Sequence, residues 1–211
     1  MSLSGLFLIL FLLVHLAGNL QLLAHDNGHS FNVYAHFMTQ NPLIKTISYV
    51  LYATILLHTV QGILLYSENR KAKGSKYQVK SDAKISSFSR YMVHLGVVIF
   101  AFLLIHLYQF WLKMKLGQLP IVQYPGSEKS YQDLNYAVVE SYKDPINVIF
   151  YILCMCIVGM HLWHGFQSAF QTIGIHHKKY NGVIQFVGKA YSLAVAVGFA
   201  LIPIILYLRQ A

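Results

Sequence analysis

Five stretches of this chain, Leu3 to Ala24, Leu43 to Tyr66, Tyr91 to Met114, Ile146 to Phe170 and Val183 to Leu208, stay apolar for more than twenty residues each with almost no charge. A helix rises about 1.5 Å per residue and a bilayer's hydrocarbon core is about 30 Å thick, so roughly 20 apolar residues span it. Within hydrocarbon every backbone N–H and C=O must be satisfied inside the protein, which leaves only helices or closed barrels. Barrel strands alternate apolar and polar residues over about ten positions, and no such alternation occurs here. The expected fold is an all-α integral membrane protein: a bundle of five transmembrane helices in a single domain over residues 1–211.

Charge supports this and orients it. The chain is 56% apolar and 11% charged, against about a quarter charged in soluble domains. All seven acidic residues, Asp26, Glu68, Asp82, Glu128, Asp133, Glu140 and Asp144, fall in connections or at span ends. Cytoplasmic connections retain Lys and Arg. The connection between spans two and three carries Arg70, Lys71, Lys73, Lys76, Lys80, Lys84 and Arg90, and that between spans four and five adds Lys178, Lys179 and Lys189. Lys45, Lys113, Lys115, Lys129, Lys143 and Arg209 lie on the other side, offset by acids. The amino terminus is therefore expected inside and the carboxyl terminus outside, in a bacterial cytoplasmic membrane. The net charge of +9 becomes an inner-face property suited to anionic lipid headgroups or a soluble docking partner, not to nucleic acid. No basic flank or small-residue cleavage site follows Met1, so the first span is expected to be retained. Inside-facing first helices normally begin after Lys or Arg, which leaves room for a native start upstream of Met1. Cys154 and Cys156 are two apart on one helix, cannot face each other, and read as small buried apolar residues; no Cys-x-x-Cys-His occurs for covalent haem attachment.

Four of the five apolar segments carry a deep histidine: His15, His58, His106 and His161. Ionisable groups inside a membrane are costly and usually functional. Converted to depth at about 1.5 Å per residue, His58 and His161 both lie about 12 to 13 Å from the inner face, and His106 and His15 an equal distance from the outer face. Two level pairs on different helices are what two bis-imidazole haems require, with irons separated by about 10 Å along the membrane normal. A flat macrocycle needs small residues beside its ligands, and Gly18, Gly62 and Gly165 follow His15, His58 and His161 by three or four positions. His106 lacks one, although Gly96 lies ten residues earlier on roughly its face. The plainer alternative, a histidine that only bonds a neighbouring helix, suits one such residue better than two level pairs. A histidine-lined proton or metal path would recruit intramembrane acids, and none is present. His94 and His164 could reach a haem propionate or simply pack; His176 and His177 suit the inner surface; His25, His29 and His36 belong to the first outer connection.

The residues around these ligands resemble the diheme cytochrome b558 membrane-anchor subunits of succinate dehydrogenase, the succinate:menaquinone oxidoreductase and fumarate reductase family. The resemblance covers nearly the whole chain. It is carried by Phe11-Leu-Leu-Val-His15-Leu, Phe31-Asn-Val-Tyr-Ala-His-Phe-Met38, Leu57-His58-Thr-Val-Gln-Gly62, His106-Leu, Met160-His161 to Gly165, Ser168-Ala-Phe and Ile173-Gly174. It implies two haems b, with the first span's ligand paired to the third's and the second's to the fourth's, as the depths also predict. It further implies an FAD flavoprotein and an iron-sulfur subunit on the inner face, oxidising succinate and sending electrons through the inner and then the outer haem to menaquinone. The quinone is then expected near the outer haem, with His36 as the candidate for its protonation, because an imidazole of unperturbed pKa about 6.5 exchanges protons near neutrality. Two features depart from the family. Gly159 stands where some diheme fumarate reductases carry a glutamate implicated in proton transfer, so that pathway does not carry over, and the connection from Leu116 to Asp144 is long. A hydrogenase or formate dehydrogenase cytochrome b is the competing expectation.

Overall fold

A computed structural model describes residues 1–72, 87–175 and 178–210. Lys73, Lys76, Lys80, Asp82, Lys84, His176 and His177, with the side chains of Arg90 and Lys178, lie outside the described residues. Five helices are long and apolar enough to cross a membrane: Ser2–Leu23, Pro42–Lys71, Tyr91–Lys115, Pro145–Thr172 and Lys179–Leu208. Each contains or nearly contains an apolar stretch read from the sequence, extended at its ends by polar residues that cap it.

In chain order, α1 (Ser2–Asn19) closes with a 3₁₀ turn over Leu20–Leu23, and α2 (His29–Gln40) and α3 (Pro42–Ala72) follow. The third span is α4 (Ser87–His106), a π-helical segment over Leu107–Leu112, and the single turn α5 (Lys113–Lys115). A hairpin of β1 (Ile121–Gln123) and β2 (Ser130–Gln132) leads to α6 (Leu134–Ser141), then α7 (Pro145–Thr172) and α8 (Lys178–Leu208). The acids expelled from the apolar runs start helices. The Asp133 carboxylate accepts from the Tyr136 N–H to open α6, and Asp144 accepts from the Ile146 N–H to open α7 with Pro145 as its first residue. Carboxylates satisfy the free N–H groups of a first turn and complement its dipole, and proline has no N–H to leave unpaired there.

The bundle is organised around α7, which packs against α8, α4 and α1 and buries Val148, Tyr151, Met155, Val158, Leu162 and Phe166 along its length. Gly159 lies where α7 meets α8: a Cβ there would stand 2.8 Å from the Ala196 Cβ. This is a helix contact that only a small residue permits, and it explains on packing grounds why a glutamate is absent from that position. The second span is more peripheral. α3 lies against α1 and α4, and the space this leaves between α3, α1, α4 and α7 is the cavity described below.

Outside the bundle, α2, the hairpin and α6 form a cap, which gives the long 116–144 connection a structural role. Asn32, only 1% exposed, ties it together. Its amide donates to the Tyr124 hydroxyl and to Asp133 Oδ1, each at 2.8 Å, and its carbonyl accepts from the Asn135 N–H at 3.0 Å. Phe31, Tyr124, Tyr131, Val138 and Tyr142 are buried around it. At the start of α2, Asp26 accepts from the Ser30 hydroxyl and the Ser30 and Gly28 N–H groups. The Ser30 hydroxyl is the main cause holding its carboxyl below the ordinary carboxylate range.

Two expectations need correction. Lys189 is not in the connection between spans four and five but within α8. Its ammonium reaches over the Trp163 ring of α7 at 5.5 Å, a cation held by an aromatic face between the two helices. Cys154 is buried but Cys156 is exposed, as alternate sides of one helix require.

Candidate cofactor site

One continuous cavity of about 1170 Å³ runs through the bundle, and His15 of α1, His58 of α3, His106 of α4 and His161 of α7 all line it. Small-molecule pockets usually enclose about 300 to 1,000 Å³, so this space takes more than one ordinary ligand. The histidines meet across it in two pairs. The His15 and His106 rings have centroids 5.9 Å apart and nearly perpendicular planes, and the His58 and His161 rings are 6.5 Å apart. A metal ion bound between two imidazole nitrogens at about 2 Å from each puts the ring centroids roughly 6 to 6.5 Å apart. Both separations fall in or near that window.

Among the described residues His161 Nδ1 is buried without a hydrogen-bond partner, which is uncommon for a buried polar atom and marks it as a candidate ligand. At His58 the Ser4 hydroxyl lies 2.8 Å from the Met1 carbonyl and 3.0 Å from His58 Nδ1. Where it donates to the carbonyl, it accepts from a proton on His58 Nδ1 and leaves the Nε2 lone pair free, the tautomer that a metal-binding histidine needs. Around the outer pair, Phe11 stacks on His15 at 5.1 Å and Phe102 and Phe110 flank His106, while the Asn19 amide Nδ2 lies 3.5 Å from both His15 ring nitrogens and donates to the His15 carbonyl at 2.8 Å.

Contacts along three helices fix the spacing between the pairs. Ser4 and His15 on α1, Gly96 and His106 on α4, and Tyr151 and His161 on α7 each join one level to the other, and each interval of ten or eleven residues is about 15 Å of helix. This is longer than the roughly 10 Å expected from span ends, because the helices run past the apolar stretches and their ends are not level. The glycines also differ from expectation. Gly62 and Gly165 line the cavity, but Gly18 faces the cap, where a Cβ would come 2.3 Å from the Tyr34 ring. Gly96 opens space for His161 and Gly5 for His58, with added Cβ atoms 3.7 and 3.6 Å from those rings. Gly96 therefore serves the inner pair rather than His106. Ser4 and Gly5 lie about three turns before His15 on α1, a helical interval that could have flagged them as facing the same cavity.

The weaker histidine signals separate. His36 packs edge-on against Tyr131 at 5.2 Å and lines a small pocket of about 220 Å³ under the cap. Thr39, Met114, Lys115 and Leu134 line both that pocket and the large cavity, so the two adjoin. His164 lines the large cavity, His94 packs between Tyr66 and Tyr91, and His29 meets Tyr124 edge to face. Among the described residues no group of three or more His, Cys, Asp or Glu converges; the metal-ligating side chains meet as pairs.

Fold and site define a multi-pass helical membrane protein with two cross-helix histidine pairs in one intramembrane cavity. Comparison of the chain with protein-family models, curated proteins and solved structures yields no match.

Proposed function

We propose that this chain is the membrane anchor and electron-transfer subunit of a succinate:menaquinone oxidoreductase. It holds one haem b between His58 and His161 and another between His15 and His106. The observation that carries the reading is the pair of facing imidazoles at two levels of one cavity, each drawn from a different helix. When bound, each haem supplies a one-electron iron couple. The remaining chemistry belongs to the chain. The four imidazoles offer nitrogens that bind haem iron, and the Ser4 hydroxyl, by accepting from His58 Nδ1, would keep the His58 proton off the ligating side. Gly5, Gly62, Gly96 and Gly165 keep the helix surfaces low where a flat ring must approach. Aromatic and aliphatic side chains exclude water, and the cap closes the outer end through Leu134, Val138 and Tyr142.

Quinone reduction consumes two protons for every two electrons, so its pocket needs a polar group between water and an apolar interior. His36, lining the pocket that adjoins the outer end of the cavity, is the group we assign to that transfer. The inner face is the docking side for an FAD flavoprotein and an iron-sulfur subunit, and the amino terminus is inside. The reading is tested by purifying the chain with its native partners. Succinate-dependent reduction of a menaquinone analogue supports it, and co-purification with a hydrogenase or formate dehydrogenase head overturns it. In that complex, His36→Leu should keep both haem spectra and succinate oxidation with a soluble acceptor while lowering quinone turnover; unchanged turnover removes His36 from the mechanism.

A further inference from the structure

The outer pair is attached to a half-buried chain of hydrogen bonds whose direction is set by a backbone carbonyl. Asn147 Nδ2 donates to the Ser141 carbonyl at 2.8 Å, an atom that can only accept, and to Ser141 Oγ at 2.7 Å. The Asn147 side-chain oxygen is thereby the end that faces Gln109, and it accepts from Gln109 Nε2 at 3.3 Å. Gln109 then presents its own oxygen to Tyr151, whose hydroxyl donates to it at 2.5 Å. With its one proton committed, the Tyr151 oxygen has only lone pairs left for His106 Nδ1, 3.5 Å away. Every link has one polarity, and the last makes His106 the donor at Nδ1 and frees its Nε2.

Tyr151 is 4% exposed and packed among Phe102, Phe110, Tyr142 and Phe150, which hold its ring in place beside His106. Gln109 and Phe110 come from the π-helical segment that begins directly after His106, a local widening often found at functional sites. The His58 counterpart is shorter: one serine, half-buried, passing its bond to Met1.

We infer that Tyr151, backed by Gln109 and Asn147, is a positioning residue that fixes the tautomer of His106 and sets the electron-donating strength of that ligand, and through it the reduction potential of the outer haem. This rests on the haem reading above. An acceptor on the non-ligating nitrogen makes an imidazole a stronger donor and favours the oxidised metal; each link further along the chain polarises the one before it, with diminishing effect.

The test uses the haem-loaded full-length chain, titrated potentiometrically with optical detection of each haem. Tyr151→Phe should raise the outer haem's potential, increasing its reduced fraction relative to oxidised about threefold to tenfold at a fixed potential, a tenfold change being 59 mV for one electron. The inner haem should not move. Gln109→Leu and Asn147→Leu should shift the same haem in the same direction by successively smaller amounts, and they keep the inference testable where Tyr151→Phe does not accumulate. Ser4→Ala should move only the inner haem. An unshifted outer potential in a chain that carries both haems overturns the inference alone, as do equal shifts of both haems. Absence of haem from the unsubstituted chain overturns the reading on which it rests.

Discussion

The energetic cost of a polar ring in hydrocarbon is what makes His15, His58, His106 and His161 legible in the sequence, and helical rise is what sorts them into pairs. The pairing depends only on position along each helix, so it survives errors of a residue or two at span ends. The residues that support the rings were less legible. Tyr151, Gln109 and Ser4 act across helices, and which helix faces which is set by packing. A glycine three or four positions from a ligand shares its face but not necessarily its neighbour, which is why Gly18 proves to accommodate Tyr34. Under the proposed function, His58→Ala and His161→Ala should each abolish the same haem signal, and His15→Ala and His106→Ala the other, because an iron that loses either axial imidazole loses the site. Redox titration of the four variants checks this; loss of different haems in the His58 and His161 variants would break the pairing.

At the level of elements, the long helices were readable because apolar length is a direct consequence of bilayer thickness. The cap was not, since its order comes from polar contacts between segments roughly a hundred residues apart, and no local periodicity announces them. Asn32 concentrates those contacts. Asn32→Ala leaves the half-buried Asn135 N–H and the buried Tyr124 hydroxyl each short of a partner, while Asp133 Oδ1 still accepts from the Tyr136 N–H, at a cost of about 1–3 kcal/mol for a buried group left unsatisfied. The expected result is a cap that opens locally, seen as faster hydrogen exchange over residues 29–40 and 130–141, while the intramembrane helices stay protected. Exchange unchanged in the cap would mean that its apolar contacts alone hold it. The π-helical segment after His106 was equally invisible in the sequence, because one extra residue per turn leaves the apolar pattern intact.

At the scale of the whole molecule, Lys and Arg are concentrated in the sequence between spans two and three, and under the proposed function they attract a soluble partner at long range. Replacing Lys71, Lys73 and Lys76 together by Glu should weaken co-purification of the soluble subunits at low ionic strength, with the difference shrinking as salt screens the charges over about 10 Å at 0.1 M. Both haems should remain, since these residues lie outside the apolar span. Unchanged co-purification at low salt would assign the charge to lipid headgroups instead. The bundle itself leaves a cavity of about 1170 Å³ among four helices, lined by all four histidines, and the account assigns that space to two haems. The most direct measurement is the haem content of the purified chain, by pyridine haemochrome assay together with a reduced-minus-oxidised spectrum. The account predicts two b-type haems per chain and low-spin, six-coordinate bands; a chain with no Soret absorbance, or with a single haem, would contradict it.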